Sequence, residues 1–363
     1  MLPFIKETET AWDRLKNTKK PIVLYGMGNG ADKILDWCED NALAVAAIFA
    51  SDDFVRGQSF RGYKVCRYAD IAARYEDFLI VIAFASESPH VLDNFYQLAP
   101  RHETLAPHLP LFAGDETVSF AWLEQYGSEL KEVYDRLADD KSREVFAAVL
   151  NYKLCGRIEY LKAVETSRRE DCRELFPFGS DEVHVDLGAY DGDTIKEFLD
   201  YTGGCYRQIF AFEPDVRNFR KLQNYVTAAG LERIVALNKG AWSEEAVLGF
   251  SAGGGRQSAL GGSGNETEVC TVDGVVGGER TSYIKFDVEG AEFEALLGAG
   301  ETIRRWHPKL FLAAYHRDND LWRLPLLLWS IEPSYELYLR KHPYVPAWEL
   351  NYLAVARPQP KGQ

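Results

Sequence analysis

The fold is decided by residues 182–194, which read EVHVDLGAYDGDT. Val183, Val185 and Leu187 give the pattern of a short buried strand, and the glycines that follow predict a tight turn. A helical pattern begins directly after the turn, at Ile195. Strand, glycine turn and helix in this order form the unit that holds nucleotide-like ligands at the carboxyl end of a parallel strand. We therefore expect a ligand site after Leu187.

A second apolar run, residues 208–212, ends at Glu213 and Pro214. A carboxylate at the end of the second strand, about 20 residues beyond the glycine turn, typically hydrogen-bonds the ribose hydroxyls of an adenosine ligand. We therefore predict that Glu213 contacts a ribose.

Strand-like and helical segments alternate through the rest of the C-terminal half. Strands are predicted at 183–187, 208–212, 233–237, 282–286 and 309–314, followed by late segments at 335–339 and 351–356. This alternation predicts an α/β fold with a mainly parallel, doubly wound sheet of seven strands that ends in an antiparallel edge hairpin. The glycine-rich stretch 252–264 has no periodicity, which predicts a surface loop or a lid over the site.

The N-terminal part predicts a smaller Rossmann-like α/β unit, with strands at 21–25, 45–50 and 78–84. The turn from Gly26 through Gly28 to Ala31 fits the dinucleotide fingerprint, with Asp52 about 20 residues later. Apolar residues at three- and four-residue steps then predict helices. We place the domains at 1–115 (Rossmann-like), 116–178 (helical connector) and 179–363 (the doubly wound sheet).

Composition limits the class of protein. A chain of 363 residues is long for one core, and its net charge of −14 disfavours nucleic acid and anionic lipid as partners. The sequence contains no apolar run long enough for a membrane span and nothing like a secretory signal. Its six cysteines are scattered, without zinc or disulfide spacing, which favours reduced thiols and a cytoplasmic location.

The two glycine turns favour different ligands. The Gly26 turn would place a pyrophosphate on a helix N-terminus. Asp186 puts a carboxylate beside the second turn, which suits a cationic ligand better than a phosphate. S-adenosylmethionine has a sulfonium, an ammonium, no phosphate and a ribose for Glu213. Charge therefore favours this cofactor at the second turn.

Residues 183–356 resemble the FkbM-type methyltransferases, S-adenosylmethionine-dependent enzymes of the class I fold. The matching pieces are VDLGA at 185–189, FAFEP at 210–214, IKFDVEGAE at 284–292 and PKLFL at 308–312. The resemblance implies methyl transfer to a hydroxyl, often of a sugar or a secondary metabolite. Tyr190 stands where Asn is usual, Phe286 where Ile is usual, and GAWS at 240–243 where a small residue and Asp are common.

The predicted cofactor contacts come from the strand ends and from the loop before residue 243. They are Asp186, Gly188, Ala189, Tyr190, Gly192, Thr194, Glu213, Pro214, Ala241, Trp242 and Asp287. Trp242 would stack on adenine, stay exposed or pack in the core.

Transfer to a hydroxyl also needs a base, and ligands of doubly wound sheets lie at the carboxyl ends of the strands. Asp287 and Glu289 follow one predicted strand and His316 follows another, so these three are the predicted catalytic residues. The alternatives are a helix N-terminal acid for Asp287 and a surface histidine for His316. A metal shared by the three is conceivable, but no ligand spacing demands it and none is predicted. Lys285 points along its strand opposite in phase to the neighbours of Asp287, so it is assigned no catalytic role.

The leading hypothesis is therefore an O-methyltransferase acting on a small-molecule or carbohydrate hydroxyl. One alternative is an enzyme that binds NAD or a nucleotide sugar at the Gly26–Ala31 turn. The other is a non-catalytic assembly module. The first unit would otherwise serve as a scaffold for packing or for a homo-oligomer.

Overall fold

The computed structural model describes residues 2–112, 114–253, 257–260 and 265–357. The chain forms two compact units, and each takes three separate segments of it. The first contains Met1–Lys131, Arg143–Thr166 and Lys341–Glu349, and the second contains Glu132–Ser142, Ser167–Arg340 and Leu350–Gln363. The predicted helical connector contributes residues to both units. The three-part division at 1–115, 116–178 and 179–363 stays a prediction.

The first unit contains a six-stranded sheet of order β3-β4-β2-β1-β5-β6, parallel except for the antiparallel β3–β4 pair. The strands are β1 Ile22–Tyr25, β2 Val45–Ala50, β3 Ser59–Phe60, β4 Tyr63–Arg67, β5 Leu79–Ile82 and β6 Thr104–Leu105. Strands β1 and β5 are buried along their whole length, as expected for a parallel sheet covered on both faces. The predicted Rossmann-like unit is confirmed.

Nine α-helices precede the second sheet in the described part of the chain. They are α1 Ala11–Asn17, α2 Asn29–Asp40, α3 Tyr68–Arg74, α4 Pro89–Leu98, α5 Phe120–Gln125, α6 Gly127–Arg136, α7 Asp140–Cys155, α8 Glu159–Lys162 and α9 Arg168–Leu175. A short 3-10 helix, Asp52–Phe54, follows β2. Helices α5 to α9 lie in the stretch for which helices were predicted.

The second unit is built on a seven-stranded sheet. The strands of this part of the chain are β7 Val183–Leu187, β8 Gln208–Phe212, β9 Ile234–Leu237, β10 Gly240–Ala241, β11 Ala246–Gly253, β12 Gln257–Leu260, β13 Asn265–Cys270, β14 Tyr283–Phe286, β15 Lys309–Ala313, β16 Tyr335–Lys341 and β17 Leu350–Ala356. The sheet order is β16-β17-β15-β14-β7-β8-β9. The five strands from β15 to β9 are parallel, and β17 runs antiparallel to β15. The predicted class I architecture is confirmed.

Strand order reverses at the centre of this sheet. From β7 the chain continues to β8 on one side, whereas β14 lies on the other side of β7. The crevice at such a reversal point is where doubly wound sheets bind ligands. The topology therefore places the ends of β7, β8 and β14 at one candidate site.

Within the described residues, six helices accompany these strands: α10 Asp193–Thr202, α11 Val216–Ala228, α12 Val272–Val276, α13 Glu292–Leu297, α14 Gly300–Trp306 and α15 Asp320–Ile331. The core beneath them includes Ile195, Phe198, Ile209 and Leu222, each nearly or fully buried. Each such side chain stabilises the fold by about 1.5–3 kcal/mol. None of the helices in the described ranges combines the length and apolar character that a bilayer crossing requires.

A small four-stranded sheet, β10-β13-β11-β12, was not predicted. It includes residues 252–253 and 257–260 of the glycine-rich stretch, so the loop prediction is wrong for these residues. Backbone hydrogen bonding between β11 and β12 explains how a stretch without hydrophobic periodicity forms strands. Residues 254–256 and 261–264 of the predicted loop lie outside the described residues.

Candidate active site

Gly188 lies where the backbones of two central loops meet. Its φ is +82°, and a Cβ built on it would lie 1.9 Å from the carbonyl oxygen of Asp287. The amides of Gly188 and Ala189 both donate to the carbonyl of Phe212, at 3.0 and 2.9 Å. The turn after β7 is therefore fixed against the ends of both neighbouring strands, and only glycine fits its first position.

The rest of the turn leads into α10. Gly192 has φ +97°, and a Cβ there would meet the ring of Tyr225 at 2.4 Å. Tyr190 is a non-glycine residue with φ 47°, and its side chain is exposed. The Nζ of Lys221 lies 5.3 Å from the Tyr190 ring centroid. The turn thus presents an exposed aromatic ring beside the crevice.

Glu213 is nearly buried at the end of β8, and backbone amides hold both of its carboxylate oxygens. Oε2 accepts from the amide of Tyr190 at 2.8 Å, and Oε1 accepts from the amide of Asp215 at 2.9 Å. The Asn238 side chain donates to the carbonyls of Glu213 and Pro214, at 2.8 and 3.0 Å. The carboxylate is therefore tied directly to the glycine turn, with its strand end held by Asn238. Sequence analysis did not name Asn238, whose signal is a polar residue directly after a third strand.

Burial raises the pKa of the Glu213 carboxyl to about 7, against an ordinary value of 4.5, even though backbone amides favour its charged form. The folded chain therefore binds this proton more tightly than the unfolded chain. Binding of this proton stabilises the folded chain fully below pH 4.5, and this stabilisation is lost as the pH rises through 7.

We expect the free energy of unfolding to fall between pH 5 and pH 8 by about 2–3 kcal/mol more in the wild-type chain than in Glu213→Gln, at ~1.4 kcal/mol per unit of pKa. Urea unfolding at the two pH values measures the difference. Equal pH dependence in the two proteins would contradict the assignment.

Lys285 is a buried cation at the centre of the site, although sequence analysis gave it no role. Its Nζ donates to the carbonyl of Gly188 at 3.1 Å. It also lies 3.4 Å from Asp186 Oδ1 and 3.6 Å from Asp287 Oδ2. Asp186 is fully buried, and its Oδ2 accepts from the hydroxyl of Thr194 at 2.5 Å. Lys285 therefore joins the ends of β7 and β14 through two carboxylates and a carbonyl.

Acidic side chains surround His316 beyond the end of β15. Its Nδ1 donates to Glu292 Oε1 at 2.8 Å, and its Nε2 lies 3.3 Å from Glu289 Oε2 and 3.8 Å from Asp287 Oδ1. The hydroxyl of Tyr315 donates to Asp287 Oδ1 at 3.0 Å. The three predicted catalytic residues therefore lie together, and Glu292 joins them. Glu292 lies in the IKFDVEGAE motif but was not among the predicted catalytic residues.

The environment gives these groups different charges. Burial alone would lower the pKa of His316, but the charges and hydrogen bonds of Glu292 and Glu289 raise it well above its usual value. Burial likewise opposes ionisation of Asp287, but Lys285 and His316 lower its pKa. Burial raises the pKa of Glu289. These surroundings therefore favour the charged form of His316, which has no lone pair free to accept a proton, and the anionic form of Asp287.

Three of these groups could also hold a metal ion. Asp287, Glu292 and His316 each offer one ligand atom, and these atoms lie within 4.8 Å of one another. The sequence suggested Asp287, Glu289 and His316 as a conceivable metal site. The structure brings Glu292, rather than Glu289, together with the other two.

Ala241 and Trp242 lie apart from the strand ends that carry the other predicted cofactor residues. Ala241 belongs to β10 of the small sheet, and the Trp242 amide donates to the carbonyl of Cys270 at 2.9 Å. A Cβ on Gly298 would meet the Trp242 carbonyl oxygen at 1.9 Å, so this backbone is closely packed. Their contact with a cofactor stays a prediction.

Packing accounts for two glycines of the turn after β1 but not for Gly28. A Cβ on Gly26 would lie 2.2 Å from the ring of Phe84, and one on Gly30 would lie 2.4 Å from the carbonyl oxygen of Ala83. Gly28, the second glycine of the dinucleotide-like spacing, has φ +101°, and a Cβ there would meet nothing within 4 Å. Backbone conformation rather than packing therefore favours glycine at position 28.

The chain is similar to a solved structure over most of its length. A structure of methyltransferase FkbM from Methylobacillus flagellatus KT has a TM-score of 0.73 and 22% identity, and the match covers 93% of this chain and 90% of the other. At that identity the match shows a shared fold. No curated protein matches the chain.

Weaker structural matches cover about half of the chain. An rRNA methylase from Streptococcus thermophilus has a TM-score of 0.35 and 13% identity, covering 53% of this chain and 94% of its own. A putative methyltransferase from Streptococcus mutans in complex with SAH has a TM-score of 0.34 and 7% identity, and the match covers 52% of this chain and 95% of the other. Scores this low carry no argument about this chain.

The family comparison is specific to the part of the chain that contains the site. The model of the methyltransferase FkbM domain matches residues 186–345, which run from Asp186 at the end of β7 past His316. Residues 186–345 are thus similar to the methyltransferase FkbM domain.

Proposed function

We propose that the chain is an S-adenosylmethionine-dependent O-methyltransferase that methylates a hydroxyl of a sugar, glycan or secondary metabolite. The observation that carries this proposal is the buried Glu213 carboxylate, which backbone amides fix beside the glycine turn after β7. A carboxylate at this place in a doubly wound sheet is suited to the two hydroxyls of a ribose.

The residues at the strand ends fit this cofactor. Gly188 keeps the turn free of a side chain, and Glu213 faces the expected ribose position. Asp287 is an anion with about a quarter of its side chain exposed, so it is suited to an ammonium group. The bound cofactor supplies a methyl group that its sulfonium has already activated. The protein then has to align the acceptor oxygen with that methyl, which can contribute an effective molarity of the order of 10⁵ M or more.

The acidic cluster is suited to deprotonating the acceptor hydroxyl. Glu289 has about a third of its side chain exposed and lies against His316, which is buried. We assign Glu289 as the base and His316 as the residue that positions its carboxylate. A well-placed base contributes roughly 10²-fold or more to such a reaction. Glu213 follows β8 and Asp287 follows β14, the two strands that flank β7, and Glu289 lies two residues beyond Asp287.

Other features support the setting of the reaction. All six cysteines are unpaired thiols, which fits the reducing cytoplasm. The acidic net charge supports a small-molecule or carbohydrate acceptor over nucleic acid. Binding of NAD or a nucleotide sugar at the Gly26–Ala31 turn of the first unit stays a prediction.

Replacing Glu213 with Gln tests the proposal. We expect S-adenosylmethionine to bind at least about 10-fold more weakly, because hydrogen bonds to a charged acceptor contribute roughly 1.5–3 kcal/mol. Isothermal titration calorimetry with the full chain at pH 8 measures the change.

Glu232→Gln is the matched control, because it removes one exposed carboxylate just before β9. Its affinity should equal that of the wild type. Equal affinity in Glu213→Gln, or no binding by the wild-type chain, would exclude Glu213 from a cofactor site.

A further inference from the structure

We propose that Asp287, Glu292 and His316 form a binding site for a divalent metal cation. They come from the ends of β14 and β15 and from the first residue of α13, and their candidate ligand atoms lie within 4.8 Å of one another. Imidazole nitrogen and carboxylate oxygen are ordinary ligands of divalent first-row metals. The chain thus brings a mixed nitrogen and oxygen donor set to one point.

Carboxylates lie beside both ring nitrogens of His316. Its Nδ1 lies 2.8 Å from Glu292 Oε1, and its Nε2 lies 3.3 Å from Glu289 Oε2 and 3.8 Å from Asp287 Oδ1. Metal-binding histidines almost always have their second ring nitrogen bonded to a carboxylate, a carbonyl or water, which fixes the ring. Here Glu289 lies beside Nε2, so a cation bound by Nδ1 and Glu292 would take the place of the proton on Nδ1 while the ring stays fixed.

Glu292 gives an independent indication of a missing partner. The residue is fully buried, and its Oε1 accepts both from the Val288 amide and from His316, each at 2.8 Å. Its Oε2 is also buried and has no hydrogen-bond partner among the described residues. A buried carboxylate oxygen without a partner is costly, and a coordinated cation would satisfy it.

The cluster is open on one side. Asp287 and Glu289 have side chains that are 25% and 32% exposed, whereas Glu292 and His316 are enclosed. A cation held by the enclosed pair would therefore have a free face toward solvent. If the proposed methyl transfer is correct, an acceptor hydroxyl bound there would lose its proton more readily. This consequence rests on the proposed function, whereas cation binding itself does not.

Mn²⁺ binding to the full chain tests the site, using chelator-treated protein and electron paramagnetic resonance to count free Mn²⁺. We expect one Mn²⁺ per chain, and affinities lowered at least about 10-fold in Glu292→Gln and His316→Ala. Glu294→Gln removes a carboxylate from the same helix and should bind as the wild type does. If the variants at the buried residues Glu292 and His316 fail to fold, Asp287→Asn tests a ligand whose side chain is partly exposed, and the same drop in affinity is expected.

Absence of bound Mn²⁺ in the wild type, or equal affinity in the ligand variants and Glu294→Gln, would overturn the proposal. Calorimetry with S-adenosylmethionine on the same metal-free samples separates the two proposals. Cation binding without cofactor binding supports the metal site and contradicts the proposed function alone.

Discussion

Gly188→Ala is expected to lower the free energy of unfolding by about 2–4 kcal/mol and to weaken S-adenosylmethionine binding at least about 100-fold. Two effects contribute to the loss of stability. Placing a side chain on a residue with φ +82° costs about 1 kcal/mol, and the backbone shift that the new Cβ forces costs about 1–3 kcal/mol. The shift has to separate the turn after β7 from the Asp287 carbonyl. A displacement of about 1 Å in such a site can cost 10²-fold.

Gly203→Ala separates these two costs. Gly203 also has a left-handed φ, of +61°, but a Cβ there would meet nothing within 4 Å. Its variant should lose only about 1 kcal/mol and bind the cofactor normally. Urea unfolding and calorimetry compare the two. If both variants behave alike, the close approach of the two loops is not what requires glycine at position 188.

Lys285→Met is expected to lower the free energy of unfolding by about 3–5 kcal/mol, because it leaves the buried Asp186 and the partly buried Asp287 without their shared cation. Urea unfolding measures the loss. Lys239→Met is the matched control: Lys239 pairs with Glu268 on the surface, so its loss should be below about 1 kcal/mol.

Adding Asp186→Asn to Lys285→Met tests the cause. Removing the second charge should restore part of the lost stability, because the coupled charges are then absent together. A double variant whose loss is the sum of the two single losses would show that the pair is not coupled.

The sequence predicts the sheet well where strands are buried on both faces. The predicted bounds at 183–187 and 208–212 match β7 and β8. Strand β8 is a nearly continuous apolar run, and the apolar residues at every second position mark β7. The short strands β3 and β6 have two residues each and leave no such pattern. The β11–β12 pair depends on hydrogen bonding between glycine-rich segments, which hydrophobic periodicity does not detect.

The site could be predicted at the strand ends but not in its long-range pairs. Asp287, Glu289 and His316 follow predicted strands, and the structure places them together. Lys285 was set aside because of its phase along the strand, yet phase has little meaning in a strand buried on both faces. Its partner Gly188 lies 97 residues away. Such a contact depends on which strands become neighbours, which one sequence does not specify.

The division of the chain into alternating segments limits how it can be cut. The polypeptide passes five times from one compact unit to the other, and residues 341–349 return to the first unit near the C-terminus. No single cleavage point separates two complete halves. A fragment beginning at residue 179 would lack 132–142 and 167–178 of its own unit while retaining a piece of the other. Truncated fragments are therefore poor substitutes for the whole polypeptide, and activity lost on truncation would not identify which unit performs the chemistry.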